Sequence, residues 1–326
     1  MSRLNREPLI SVLMPVFNGK EFLPEAIESV LGQSERDFEF LIIDDGSTDG
    51  SDKIIDEAAA KDDRIRVIRR ENRGLIASLN EGLELARGRY IARMDADDIS
   101  LPNRFKMQVA LMTTDSVDLC GCHYLIVDRT GKIISCSIQP TSPEMFPLWL
   151  CCGTPFAHGS VMMRNDFLRR HELRYGAEGF AADEDYALWT TCYNMGATFA
   201  NVDDVLFKYR VHEASFSRTK IDRMTAQHHQ IAQRFIRMQR CALQKAFISA
   251  LDDPCLSYQE RQFLVKAAVE SIAHQQLGLL FRVIRHVGLR IALPHILAQG
   301  WLIMRAVNAS RRIASVGSMT MPKCNA

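Results

Sequence analysis

The chain has 326 residues, 47% of them hydrophobic and 24% charged, and a formal net charge of +1 at pH 7. This composition excludes a disordered chain and allows one large or two modest domains. The nine cysteines are scattered without zinc-type spacing. The segment before the first apolar run, residues 1–8, is short and polar, and the apolar run at 291–304 is interrupted by polar residues. We therefore expect a reduced, cytoplasmic protein without a signal peptide or a membrane span.

Strand and helix patterns alternate through the first hundred residues. Continuous apolar runs predict buried strands at residues 9–14, 38–43, 65–68 and from 90 onward. Apolar residues at helical spacing predict helices at residues 22–31, 54–60 and 75–86. This alternation predicts an open, mostly parallel α/β sheet with flanking helices.

The second half of the chain mixes shorter elements and ends in a helical region. We expect helices at residues 101–112, 144–150 and 183–194, and strands at 117–127, 132–138, 159–163 and 205–211. From Met224 onward the pattern changes to long amphipathic helices, which divides the chain into domains 1–216 and 217–326. The second part holds 16 Lys and Arg against 5 Asp and Glu, as expected for a basic region that meets an anionic surface.

Three carboxylates follow the strand that begins at Tyr90, within four positions. Asp95, Asp97 and Asp98 end this apolar run, and ligands of α/β sheets bind at the carboxyl ends of strands. An Asp-x-Asp pair there suits a hard divalent cation that also binds phosphates. The alternative is a polar loop in which Asp98 or Ser100 caps the next helix.

Other polar clusters follow neighbouring elements. Phe17 follows the first strand and could stack on a base, or it could be a core aromatic. Asp45 closes the second strand and could accept from an imide N–H or a ribose hydroxyl, or it could form an Asx turn. Glu184 and Asp185 open a helix, where carboxylates are also common as caps and partners of the helix dipole.

Together these segments resemble the family 2 glycosyltransferases, which are inverting enzymes with the glycosyltransferase A fold. The resemblance covers about residues 10–217 and rests on the order and spacing of ISVLMPVFNG, FLIIDDGSTDGS, ARGRYIARMDADDISLPNRF, DEDYALW and YRVHEASFS. The YIARMDADD segment looks most like bacterial enzymes that build surface polysaccharide or lipopolysaccharide. The resemblance implies a Rossmann-like nucleotide-sugar-binding catalytic domain at 1–216, followed by a helical C-terminal region.

The resemblance also implies roles for the donor side of the site. Asp45 matches the residue that contacts the nucleotide base, and Pro15 and Phe17 match residues lining the same pocket. Asp95 matches the first Asp of the family motif, near the ribose and the diphosphate.

The remaining matches concern the metal and the acceptor. Asp97 matches the residue that binds Mg2+ or Mn2+, and His212 matches a histidine that reaches the metal or the diphosphate. Asp185 matches the catalytic base of the family's Glu-Asp motif, and its neighbour Glu184 is expected to bind substrate.

Two positions depart from the family pattern. Leu79 stands where many members carry a basic residue, and Thr191 stands where many carry an arginine. These departures concern the diphosphate contacts and the acceptor-side hydrogen bonds.

The expected activity is hexosyl transfer from a nucleotide sugar, with UDP sugars as the first candidates, to a saccharide or lipid-linked saccharide. The basic C-terminal helices would dock on the inner face of the cell membrane, or pack on protein or form oligomers. One alternative is a sugar-1-phosphate nucleotidyltransferase, although MPVFNGKEF lacks the Gly-rich basic loop of those enzymes. The other is a nucleotide-sugar-binding protein without catalysis. No base-reading motif indicates a nucleic-acid partner.

Overall fold

A computed structural model describes residues 7–114, 116–177, 179–213, 221–252 and 264. In these residues, nine strands form one sheet, flanked by helices. The strands are β1 (Ile10–Val16), β2 (Phe38–Asp44), β3 (Ile65–Arg69), β4 (Tyr90–Arg93), β5 (Ile99–Ser100), β6 (Leu119–Val127), β7 (Ile133–Ser137), β8 (Met162–Arg164) and β9 (Phe199–Arg210). The helices are α1 (Leu23–Leu31), α2 (Ser51–Ala59), α3 (Leu75–Leu85), α4 (Arg104–Thr114), α5 (Met145–Trp149), α6 (Asn165–Arg170), α7 (Glu184–Asn194), α8 (Ile221–Met238) and α9 (Arg240–Asp252), with a 3-10 turn at His158–Ser160.

The sheet runs in the order β3-β2-β1-β4-β8-β6-β9-β5, and β7 pairs with β6. The first four strands in this order are parallel, as the alternating pattern predicts. Every residue of β2 is buried, in keeping with a parallel strand covered on both faces. The other half combines antiparallel pairs with the parallel pair of β6 and β9. The predicted α/β class with flanking helices is confirmed.

Four elements differ from the sequence prediction. In place of the strand predicted at 159–163, a 3-10 turn at His158–Ser160 precedes β8. β5 and α6 were not predicted, because two and six residues are too few to show a period. β9 begins six residues before its predicted start. Its first half was not predicted because Asp203 and Asp204 are residues that are unfavourable in strands. Both are exposed beside a register irregularity in the pairing with β6, where they can face water.

Gly88 lies where the chain turns into β4 and touches the backbone of β1. A Cβ at this position would lie 2.4 Å from the Ser11 nitrogen and 2.6 Å from the Ile10 carbonyl carbon. We expect Gly88→Ala to lower the free energy of unfolding by about 1–3 kcal/mol, because backbone cannot move aside as a side chain can. Denaturant unfolding measures this change. Gly19→Ala is the matched control, since its Cβ would lie 3.5 Å from the nearest atom; equal losses in both variants would contradict the prediction.

The described residues divide into two compact units. One holds the residues up to Thr141 together with Pro155–Thr225, and the other holds Ser142–Thr154 together with those from Ala226 onward. The boundary at residues 216/217 stays a prediction. Residues 277–291 and 296–313, which belong to the amphipathic helical region predicted from Met224 onward, lie outside the described residues.

Two further observations concern membrane-spanning helices and cysteines. No helix within the described ranges is both long and apolar enough to cross a membrane. Six of the described cysteines are free thiols. Cys241 is disulfide-bonded, however, so a fully reduced chain is not what the structure contains.

Candidate active site

The acidic loop 95–98 leaves the sheet at the carboxyl end of β4. The Met94 amide donates to the Leu13 carbonyl at 3.0 Å, and directly after the loop β5 pairs with β9. The loop is therefore held at both ends. Asp95 and Asp97 stay partly exposed, whereas Asp98 is buried. The strand thus ends at the predicted carboxylates, and two of them face outward.

Three buried arginines, to which the sequence analysis assigned no role, neutralise this loop from within. Arg93 donates from Nη2 to Asp95 Oδ1 at 2.6 Å, and Arg104 donates to the Arg93 carbonyl at 2.7 Å. Arg210 donates from Nε to the Asp97 carbonyl at 2.8 Å. Arg93 and Arg104 are 0% exposed and Arg210 is 3% exposed. Their charges match the three carboxylates of the loop, which makes the burial of either sign tolerable.

These arginines lie within the motifs that carry the family resemblance. Their place in those motifs was the only indication in the sequence that they belong to the site. A charged residue in a sequence is expected at the surface. Burial reverses that expectation only where partners from distant segments converge on it.

Asp97 and His212 lie 115 positions apart in the sequence and are in contact in the fold. His212 Nε2 lies 2.9 Å from Asp97 Oδ2. Burial and the nearby Asp95 carboxylate raise the pKa of Asp97, and the contact with His212 opposes this shift. The His212 ring also packs on Phe22, with 5.0 Å between ring centroids. The two predicted metal ligands therefore form one adjacent oxygen and nitrogen pair.

Arg210 explains how His212 reaches this position. Its Nη2 donates to Glu25 Oε2 on α1 at 2.6 Å, and its Nη1 donates to the Arg129 carbonyl in the β6–β7 turn at 3.1 Å. The Arg210 backbone N–H donates to Asp98 Oδ1 at 2.7 Å. These bonds fix the end of β9 two residues before His212.

Asp98 anchors this strand end and does not cap a helix. Its Oδ2 is buried and accepts no hydrogen bond from the described residues. Burial raises the pKa of Asp98 well above its usual value, with Asp97 and Asp95 adding to the shift. The carboxylate is thus a structural member of the acidic loop.

The donor-side residues Pro15, Phe17 and Asp45 meet at the same edge of the sheet. The Asp45 amide donates to the carbonyl of Val16 at 2.8 Å, where β1 and β2 end side by side. Phe17, the next residue, is 53% exposed and available for stacking, so it is not a core aromatic. Pro15 is half-buried behind it.

The Asp45 carboxylate is buried and holds the loop that follows β3. Its two oxygens accept the backbone N–H groups of Arg73 and Gly74 at 2.9 and 2.8 Å. The Arg70 guanidinium lies 3.1 Å from Oδ1. The Asx turn is formed by Asp44 instead, which accepts from the Ser47 amide at 3.0 Å. A carboxylate has about four lone-pair sites, so these bonds leave Asp45 able to accept from a base.

Glu184 and Asp185 open α7, as predicted. Asp185 Oδ1 accepts the Tyr186 N–H at 2.7 Å. Burial, together with the neighbouring Glu184 and Asp183, raises the pKa of Asp185 to about 8. Burial also raises the pKa of Glu184, with Asp183 and Asp95 adding to the shift and Arg93 opposing it. The first turn of α7 therefore carries two adjacent carboxyl groups that hold a proton more readily than exposed ones do.

The two departures from the family pattern supply no polar group to this site. Leu79 is fully buried in the core. The Thr191 hydroxyl donates to the Ala187 carbonyl of its own helix at 2.8 Å.

The residues present fit a divalent cation that takes most of its ligands from elsewhere. Among the described residues no group of three or more His, Cys, Asp or Glu side chains is arranged to hold a metal ion. Asp97 and His212 offer two ligands. Mg2+ usually keeps several waters and binds through one or two carboxylates and the substrate phosphates. The pair therefore suits a cation completed by a diphosphate.

Comparisons with known proteins agree with this geometry. Residues 11–171 match the model of glycosyl transferase family 2. A putative glycosyltransferase of Bacillus subtilis, EpsE, is 37% identical over 218 residues, which cover 66% of this chain and 77% of EpsE. The uncharacterized glycosyltransferase MJ1057 of Methanocaldococcus jannaschii is 34% identical over 214 residues, covering 63% of this chain and 71% of the relative.

Solved structures share the fold at low sequence identity. S. aureus TarS 1–349 in complex with UDP superposes with a TM-score of 0.53 at 19% identity, covering 96% of this chain and 94% of TarS. The mannosyltransferase PcManGT of Pyrobaculum calidifontis gives a TM-score of 0.51 at 17% identity, covering 97% and 77%.

The fold is thus that of the glycosyltransferase A enzymes. The chain belongs to glycosyltransferase family 2, and it is a glycosyltransferase.

Proposed function

We propose that the protein is an inverting glycosyltransferase that moves a sugar from a nucleotide-sugar donor, with UDP sugars as the first candidates, to a saccharide acceptor. The acceptor would be a saccharide or a lipid-linked saccharide, the latter presented at the inner face of the cell membrane, in the synthesis of surface polysaccharide or lipopolysaccharide. The motif resemblance supports this setting. TarS was solved with UDP and with UDP-GlcNAc, and PcManGT with GDP-Man and Mn2+, which supports a nucleotide-sugar donor.

One observation carries the proposal. Burial and the neighbouring Glu184 and Asp183 raise the pKa of the Asp185 carboxyl, in the first turn of α7, to about 8. A general base works best when its pKa lies near the working pH. Most surface carboxylates titrate near pH 4 and are much weaker bases.

In the proposed reaction the acceptor hydroxyl gives its proton to Asp185 as its oxygen attacks the anomeric carbon. The bond from that carbon to the diphosphate oxygen breaks, and its electron pair stays on the leaving nucleoside diphosphate. Attack from the face opposite the leaving group inverts the anomeric centre. Phe17 and Asp45 would hold the base and Asp95 the ribose and diphosphate, while Glu184 would contact the acceptor. Mg2+ or Mn2+, held by Asp97 and His212, would supply positive charge for the leaving diphosphate.

A panel of nucleotide sugars tests the proposal. The expected result is metal-dependent transfer or slow hydrolysis of one donor, with release of its nucleoside diphosphate and, on transfer, a product of inverted anomeric configuration. Pyrophosphate release from a nucleoside triphosphate and a sugar 1-phosphate would instead indicate a nucleotidyltransferase. Donor binding without turnover under any condition would indicate a non-catalytic protein.

The pH dependence follows from the state of Asp185. Only the deprotonated carboxylate accepts a proton, so kcat/KM should rise with pH and level off above about pH 8, the pKa of Asp185. Initial rates at subsaturating donor between pH 6 and 9.5 measure this limb. A profile that is flat from pH 6 upward would contradict the assignment.

A further inference from the structure

His158 lies against the acidic loop, although the proposed mechanism gives it no role. The next residue, Gly159, has no room for a side chain. A Cβ there would lie 2.8 Å from Asp95 Oδ2 and 2.9 Å from Asp98 Oδ2. The Arg93 amide donates to the Val161 carbonyl at 2.8 Å, which ties the same segment to β4. The imidazole therefore starts from a backbone in van der Waals contact with the loop.

The orientation of the imidazole is fixed from its other side. His158 Nε2 lies 3.1 Å from the Tyr175 hydroxyl. The Asn80 side chain holds the Tyr175 backbone twice, because its amide donates to the carbonyl at 3.0 Å and its oxygen accepts from the N–H at 2.9 Å. The Trp189 ring of α7 packs edge-on against His158, with 6.0 Å between ring centroids. The ring is thus held by α3, α7 and the 3-10 turn together.

The second ring nitrogen remains available. Nδ1 has no hydrogen-bond partner in the part of the chain that the structure describes, and the residue keeps some exposed surface. Burial and the positive charge of Arg93 lower the pKa of His158 to about 3, against an opposing effect of Asp95. The imidazole is therefore neutral at working pH and can neither bind a phosphate by charge nor act as a general base.

The position of His158 falls between the two halves of the site. The next residue, Gly159, approaches Asp95 on the donor side, and Trp189 of α7, the helix that Glu184 and Asp185 open, packs against the His158 ring. The base pocket lies elsewhere, at Phe17 and Asp45. In the proposed reaction the transferred sugar lies between the donor side and the acceptor side, and its hydroxyls both donate and accept.

Resting on the proposed function, we infer that His158 Nδ1 hydrogen-bonds a hydroxyl of the transferred sugar and so helps to select the donor. Tyr175 is then a positioning residue that holds the ring through Nε2. Either neutral tautomer serves, because a hydroxyl can match a donor or an acceptor at Nδ1.

Two amide substitutions at His158 distinguish the role of Nδ1 from that of Nε2. In His158→Asn the amide lies near the position of Nδ1, and in His158→Gln it lies near that of Nε2. We expect kcat/KM for the preferred donor to fall in the order wild type, Asn, Gln, with about a tenfold loss for Gln, the usual effect of one hydrogen bond. Nucleoside diphosphate affinity, measured by calorimetry, should stay within twofold in all variants, because the contact is to the sugar.

A donor analogue lacking the contacted hydroxyl provides the second arm. Each monodeoxy or monofluoro analogue of the preferred sugar is assayed with wild type and with His158→Gln. For one analogue, kcat/KM with the wild-type enzyme should be about tenfold lower than for the preferred donor. With His158→Gln, the same analogue and the preferred donor should give equal kcat/KM. Tyr175→Phe should lower kcat/KM for the preferred donor by less than His158→Gln does, and it should be less sensitive to the same analogue than wild type is. Thermal unfolding confirms that each variant is folded.

The outcomes distinguish this inference from the function on which it rests. Wild-type protein that turns over no nucleotide sugar would overturn both. An active wild type with equal kcat/KM in the Asn and Gln variants would overturn the His158 contact alone. Equal losses of nucleoside diphosphate affinity and of turnover would also overturn it, since a merely structural role predicts that pattern.

Discussion

Asp185→Asn is expected to lose about 10²–10⁴-fold in kcat while its affinity for the nucleotide sugar stays unchanged. The substitution keeps the size of the side chain and its bond to the Tyr186 N–H, because an amide oxygen can accept it as the carboxylate does. It removes the negative charge and, with it, the ability to take a proton. The measurement pairs steady-state transfer assays with calorimetry of donor binding.

Two further variants make the test of Asp185 specific. Asp166→Asn is a surface control, since Asp166 is exposed and paired only with Arg170 one turn along its own helix; its kcat should match wild type. Glu184→Gln removes a charge that raises the pKa of Asp185, so the rising limb of the pH profile should move to lower pH. Turnover in Asp185→Asn comparable to that of wild type would contradict the assignment of Asp185 as the general base.

Asp97→Ala is expected to remove the metal-dependent part of donor affinity, because a cation bound between Asp97 and the diphosphate loses its protein carboxylate. We expect nucleoside diphosphate affinity in the presence of Mn2+ to fall by at least about 10–100-fold, the loss that even an outer-shell change causes at metal sites. Affinity measured in a chelator should be the same in wild type and variant. His212→Ala should show a smaller loss of the same kind.

The chain offers a matched control for this pair. His123 Nε2 lies 2.9 Å from Asp203 Oδ1, the same separation as in the Asp97–His212 pair. Asp203 is exposed on β9 and belongs to none of the groups assigned to the site. Asp203→Ala should therefore leave the Mn2+ effect intact. Metal dependence that persists in Asp97→Ala, or disappears equally in Asp203→Ala, would rule out the proposed metal site.

Much of the α/β half was predictable because its signals are local. The apolar runs of β1 and β2 and the carboxylates that end β4 lie within a few residues of one another. Burial of both strand faces enforces continuous apolar sequence, and an aspartate stops such a strand. The positions of Asp45, Asp95 and Asp185 at the ends of elements follow from the same local signals.

The contacts between these elements were not predictable in the same way. Arg210 reaches Glu25, Asp97 and Arg129, and His212 meets Asp97 across 115 positions of sequence. No periodicity records such pairs. Nothing local marks Arg93 and Arg104 as buried, since their burial depends on carbonyls and carboxylates supplied by the folded chain.

Which strands are buried, where they end and which carboxylates follow them depend on the side-chain character of consecutive residues, so these features can be read from the amino acids alone. The role of Asp98 at the end of β9, the three arginines of the acidic loop and the contact of His158 with Tyr175 became visible only in the folded chain. Charge compensation, desolvation and hydrogen-bond orientation depend on distances between segments far apart in the chain, and no local pattern encodes such distances.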